Sequence, residues 1–205
     1  MTQPRKNPEA TRHAILDAAE QVFLERGVQR ASLEEIARVA GVTRGAIYWH
    51  FSNKAEVFNA MIDRVQMQPS HLFDRLPDAD NRSSIDSIRQ VCTEALLTIA
   101  RDEHIRRVFT ISLLALEDTH GIEAIREHDF KLREEARRTI TRHFEQAQRE
   151  DRLRQGRSPG FCASVLESYI TGLLVVWLRN PTQFNMEADA HSLVDVLIDG
   201  LVEPV

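Results

Sequence analysis

Apolar residues recur three and four positions apart along almost the whole chain, and no stretch sustains the alternation of a half-buried strand. That periodicity restricts the fold to packed helices, an all-α class. The spacing predicts a first helix over 9–26, with Ile15, Ala19, Val22 and Phe23 as its apolar stripe and Gly27 in the stop position. Ser32-Leu33-Glu34-Glu35 has the form of a capping box, and the second helix that it opens turns Leu33, Ile36, Ala37 and Ala40 inward. Gly41-Val42 makes a tight turn, Thr43 caps a short third helix through Phe51, and Asn53 caps a fourth that kinks or stops before Pro69. The stretch Pro69–Ser84, rich in Pro, Asp, Asn and Ser, reads as a loop. Later helices are expected over 85–101, 104–117, 122–149, 160–178 and 187–202, which makes about nine in all.

Two short helices joined by a Gly-containing turn, here Ser32–Phe51, have the shape of a helix-turn-helix. Ile47 and Phe51 lie four apart and can bury inward, which leaves Arg44, Gly45, Tyr48, Trp49 and His50 outward or on the rim. Arg44 can fork onto guanine O6 and N7, and Thr43 can meet a base edge or a phosphate. Gly45 removes a side chain where the helix would approach a groove. Tyr48, His50 and Lys54 can reach phosphates. Trp49 can face DNA or simply pack the small domain. Ser32 completes the candidate set, at the start of the second helix.

The net charge of −5 would suit a general nucleic-acid coater poorly. Its distribution matters more. Arg26, Arg30, Arg38, Arg44 and Lys54 face only Glu34 and Glu35 in their stretch, so a small basic tip sits on an acidic remainder.

The segments RHAILDAAEQVFLERG and SLEEIARVAGVTRGAIYWHFSNKAEVF resemble the DNA-binding domain of the TetR family of repressors. VTRGAIYWHF is similar to the multidrug-binding branch that includes AcrR and TtgR, and YITGLLVVWLRNPTQFNM extends the likeness towards the C-terminus. The resemblance implies a helix-turn-helix DNA-binding domain at 1–53 and a ligand-binding and dimerisation domain at 54–205. It implies a cytoplasmic homodimer on palindromic double-stranded operator DNA, released by a small hydrophobic ligand and repressing efflux-pump or related resistance genes. By position, Val91, Phe109, Leu113, Ile140, Ile170 and Leu174 are similar to the cavity-lining residues of that branch. Each could equally be plain core. Glu167, midway along an apolar helix, needs a partner: Arg133, a cationic ligand, or the surface of a bundle. The last two helices carry more apolar surface than one subunit can cover, with Val165, Tyr169, Leu173 and Trp177 on one and Val194, Leu197 and Leu201 on the other.

Other classes are weaker. There is no Gly-rich phosphate loop, nucleophile elbow or HExxH pattern, so no enzyme, cofactor or metal is expected. Glu117, Asp118, His120, Glu123 and His128 read as a solvated acidic turn rather than a metal cluster. Cys92 and Cys162 are too far apart in sequence to suggest a disulfide framework and read as small buried hydrophobes. The run Phe161–Leu178 approaches membrane-spanning length, but Glu167 within it makes spanning costly, and burial against several neighbours is expected instead. A narrow metabolite such as a fatty acid or acyl-CoA could replace the drug as effector. A helical lipid carrier would have no use for the Thr43–Lys54 segment.

Overall fold

Every expected helix forms, and the second, third and fourth start at the polar residues that the sequence marks. The computed structural model describes residues 7–65, 69–74, 83–117 and 123–203. Among the described residues there are ten helices: α1 Pro8–Arg26, α2 Leu33–Val39, α3 Arg44–His50, α4 Lys54–Arg64, α5 Pro69–Asp74, α6 Ser84–Arg101, α7 Glu103–Glu117, α8 Glu123–Arg149, α9 Pro159–Arg179 and α10 Met186–Leu201. The only β pairing among them is one isolated antiparallel bridge between Leu153 and Val202. Ser32, Thr43 and Asn53 each accept a hydrogen bond from the backbone N–H three residues on, at 3.2, 3.2 and 2.9 Å. A cap of this kind satisfies one of the orphan donors of a helix's first turn. The box at Ser32 is half formed, because the Glu35 carboxylate turns to Arg26 and Arg38 instead.

One element departs from expectation. Pro69–Asp74 is the helix α5 rather than loop, while 75–82 lie outside the described residues. Proline is tolerated at a helix's first turn, where its missing N–H has no partner to lose. Phe73 supplies the packing, since it is buried and stacks on His143 with ring centroids 3.7 Å apart.

The chain forms two compact units, Met1–Gln66 with Arg107–Asp129 and Met67–Arg106 with Phe130–Val205. In the first, Ile15, Leu16 and Phe23 of α1, Ile36 of α2, Ile47 of α3 and Val57 and Met61 of α4 share one core with Val108, Ile111 and Ile125. Phe23 and Phe58 meet with centroids 6.0 Å apart. Each such side chain contributes about 1.5–3 kcal/mol on burial, which is how helices as short as α2 and α3 persist. In the second unit α10 packs on α6 and α9. Arg89 of α6 pairs with Asp195 and, at 2.6 Å, with Asp199 of α10. Arg154 ties the α8–α9 connection to the end of α10 by donating to the carbonyls of Val202 and Asp199, both at 2.9 Å.

Candidate nucleic-acid interface

The α2–α3 turn closes on itself. Gly41 takes φ +64°, a left-handed value that disfavours side chains. Gly41 N–H donates to Arg38 O at 3.2 Å and Val42 N–H to Ala37 O at 3.0 Å, so the end of α2 is satisfied where α3 departs. Ile47 and Phe51 are buried beneath α3. Arg44, Gly45, Tyr48 and Trp49 are exposed on its outer side, with His50 half-buried at the rim. Trp49 is 72% exposed, which decides against its serving as core of the small domain. Its ring meets that of His50 edge-on, with centroids 4.6 Å apart. A Cβ added to Gly45 would meet nothing nearer than Thr43 Oγ1 at 4.0 Å, so the surrounding chain does not demand a glycine there.

Polar groups on this face already have partners. Glu34 Oε1 accepts from Tyr48 Oη at 3.1 Å and lies 3.2 Å from Arg44 Nη2. The Glu34 carboxyl is held below the usual carboxylate range, first by a backbone hydrogen bond, then by Tyr48 and by the Arg44 charge. Burial lowers the His50 imidazole, helped by the cation of Arg12. Arg12 itself lies over the Phe51 ring, 5.4 Å from its centroid. Lys54 Nζ donates to the carbonyls of Gln29, at 2.6 Å, and Ala31, at 3.0 Å, and its partial burial lowers its pKa. The ammonium expected to meet phosphate thus fastens the start of α4 to the α1–α2 connection. Ser32 and Thr43 serve as caps. Arg12 and the triad of Glu34, Arg44 and Tyr48 escaped the sequence reading. Opposite charges on adjacent helices were a signal, but the Glu34–Tyr48 contact spans 14 residues and depends on the turn.

Residues 15–61 match the profile of bacterial regulatory proteins of the tetR family, and residues 83–202 that of the C-terminal region of MAATS-type transcriptional repressors. The chain belongs to the TetR family. This TetR-family chain is 31% identical over 202 residues to the HTH-type transcriptional regulator TtgR of Pseudomonas putida, a match covering 96% of the chain and 94% of TtgR. Its fold matches native NalD, the secondary repressor of the MexAB-OprM multidrug efflux pump in Pseudomonas aeruginosa, with TM-score 0.87 and 37% identity, covering 97% of the chain and 100% of NalD. It also matches SmeT in complex with triclosan, with TM-score 0.84 and 30% identity over 95% of the chain and 92% of SmeT. SmeT is the repressor of the Stenotrophomonas maltophilia multidrug efflux pump SmeDEF.

The TetR-family chain distributes its candidate effector wall unevenly. Val91, Ile140, Ile170, Leu174 and Glu167 belong to the second unit, and Phe109 and Leu113 to the first. Val91 and Leu174 are buried; Phe109, Leu113, Ile140 and Ile170 are half-buried. Of the alternatives open for Glu167, the contact with Arg133 is present, its Nη1 lying 3.8 Å from the carboxylate. His128 contacts Asp63 at 2.9 Å, while Asp118 and His120 lie outside the described residues.

The surplus apolar surface of the last two helices is real but differently composed. Trp177, Val194 and Leu201 are buried by the chain itself, a correction to their place at an exposed interface. Val165, Tyr169, Leu173 and Leu197 stay half-buried, and the Tyr169 hydroxyl donates to Leu193 O at 3.0 Å. Phe161, Val176 and Val196 are exposed. By length and composition alone α9 could cross a membrane. Its buried residues within the chain are Cys162, Ala163, Leu166, Leu174 and Trp177, far from the burial on several sides that its sequence suggested.

Proposed function

We propose that this TetR-family repressor controls efflux-pump genes from a palindromic operator and is released by a small hydrophobic molecule. The observation that carries the DNA-reading half is the outer face of α3: Arg44, Tyr48 and Trp49 project from a helix anchored by buried Ile47 and Phe51. A side chain that could have filled the core is instead held out in water. Arg44 reads a guanine; Thr43, Tyr48 and His50 meet the backbone or base edges, and Gly45 allows close approach. Lys54 and Ser32 act by holding the head in shape, with any phosphate contact secondary. In this reading residues 1–53 bind DNA and 54–205 take the ligand and dimerise. The protein works in the cytoplasm and catalyses no reaction.

The dimer is proposed through α9 and α10, where Val165, Leu173, Val176, Val196 and Leu197 leave apolar surface uncovered. Such a patch on a repressor of two half-sites is best filled by a second copy. Release follows from α4. Lys54 ties one end of it to the carbonyls of Gln29 and Ala31, and near the other Asp63 faces His128 and Arg64 pairs with Asp17. A ligand that favours a different position of α4 therefore displaces the reading head. It must bind the DNA-incompetent form better, and linkage requires the operator to weaken ligand binding by the same factor.

The relatives support the effector class, through the NalD and SmeT pumps and the triclosan bound to SmeT. The test is to titrate triclosan, a lipophilic cation and a fatty acyl-CoA against the complex with DNA upstream of the protein's own gene, followed by fluorescence anisotropy. Release by triclosan or the cation is the expected result. Release by the acyl-CoA alone would replace the drug with a metabolite.

A further inference from the structure

Resting on the reading that Arg44 meets a base, we propose that Glu34 is a specificity-determining positioning residue, which weakens binding to DNA that lacks the matching base and presets Arg44 for guanine. Glu34 on α2 holds both outward groups of α3 at once, with the Tyr48 hydroxyl 3.1 Å and Arg44 Nη2 3.2 Å from the same oxygen, Oε1. The Arg44 guanidinium lies 5.6 Å from the Tyr48 ring centroid, so acid, cation and aromatic ring close into a triangle. The neighbouring acid, Glu35, is engaged elsewhere, by Arg26 at 3.6 Å and Arg38 at 3.9 Å.

In water such an exposed ion pair has little energetic consequence. Against DNA it acquires two. First, the carboxylate stands beside a polyanion. On a sequence with no acceptor for Arg44, the pair stays closed, one cation is neutralised internally, and fewer counterions are released on binding. Second, a guanidinium has five donors in a planar fork, and one Nη2 contact to Glu34 restrains that plane while leaving donors for guanine O6 and N7. Only the matching base replaces what Glu34 supplies. Tyr48 follows the same logic, because its hydroxyl leaves Glu34 when a phosphate oxygen accepts it instead.

The experiment uses the full-length protein and fluorescence anisotropy over a range of salt. The probes are the operator duplex, the same duplex with the Arg44-contacted guanine replaced, and a scrambled duplex. The variants are Glu34→Gln, Arg44→Ala and the pair together, with Glu34→Ala as a second neutral form and thermal midpoints as a folding control. Glu34→Gln should tighten binding to scrambled DNA about threefold or more and steepen its salt dependence by up to about one ion. The preference for operator over scrambled DNA should fall about fivefold or more, within the discrimination that a bidentate contact supplies. In the Arg44→Ala background, Glu34→Gln should leave the remaining preference alone. A preference within twofold of wild type for Glu34→Gln, beside a relaxed Arg44→Ala, would overturn the role of Glu34 only. Wild-type protein that favours the operator no more than scrambled DNA would overturn the DNA-reading assignment itself.

Discussion

Arg64, at the end of α4, pairs its guanidinium with Glu20, a carboxylate buried on α1. The same guanidinium lies 2.7 Å from Asp17, one turn earlier on α1, and Arg107 of α7 comes within 4.0 Å of Glu20. A buried acid paired with a cation on α4 links that helix to α1, and the pair is sensitive to loss of either partner.

Removing the cation leaves the acid poorly compensated, and breaking buried pairs in this way costs about 3–5 kcal/mol. Arg107 softens the loss, so Arg64→Met is expected near the lower end. Unfolding in urea, followed by circular dichroism, should show the lower midpoint. An unchanged midpoint would mean that α4 is held by packing and that Arg64 is dispensable.

Acid should loosen the second unit. Burial, with a smaller contribution from Arg142, holds the His143 imidazole below its ordinary pKa, and the ring is stacked on Phe73. As pH falls through about 6.5, the unfolded chain takes up a proton that the folded one refuses, so stability present above that value is progressively lost. His143→Leu should flatten the fall in urea midpoint between about pH 7.5 and 5.5, the range that brackets an ordinary imidazole. His50, lowered by burial in the same direction, leaves part of the slope in place. A slope identical to wild type would remove His143 as a contributor.

The α10 surface should decide oligomeric state. Val196 is 72% exposed and Leu197 half-buried, so charge there disturbs the core of the single chain less than it would at buried Val194 or Ile198. Val196→Glu with Leu197→Glu should give a folded monomer by light scattering, with operator affinity lost because one half-site binds weakly. A dimer that survives the double replacement would place the interface elsewhere.

Glu167 should prove modest in its effects. It pairs with Arg133 across 3.8 Å, and both side chains keep appreciable exposure. Exposed pairs are worth about 0–1 kcal/mol, so Glu167→Gln should shift the thermal midpoint by only a few degrees at most. Lipophilic cations and neutral compounds should then release DNA from Glu167→Gln equally well. A selective loss for cations would return Glu167 to the ligand site.

The helix starts were legible because capping is local: Ser32, Thr43 and Asn53 each bond within three residues, and the sequence carries all of that information. Ile47 and Phe51 were legible from spacing alone, as was the glycine turn at Gly41. What stayed hidden is non-local. Lys54 Nζ reaches the Ala31 carbonyl across 23 residues, and nothing in a local pattern distinguishes that from a free surface lysine. Trp177, Val194 and Leu201 looked like surplus because periodicity marks an apolar face without saying which neighbour covers it. Pro69 reads in sequence as a helix breaker, although at a first turn it starts one.

The central claim, that the outer face of α3 reads a two-fold operator, is tested most directly by footprinting on the DNA upstream of the gene. Wild-type protein should protect two symmetric half-sites whose centres lie about 34–36 Å apart, one helical turn. Arg44→Ala should keep its fold yet lose discrimination at one base pair in each half-site, costing about 1–3 kcal/mol. Protection by Arg44→Ala identical in position and affinity to wild type, or no protection by either protein, would contradict the account.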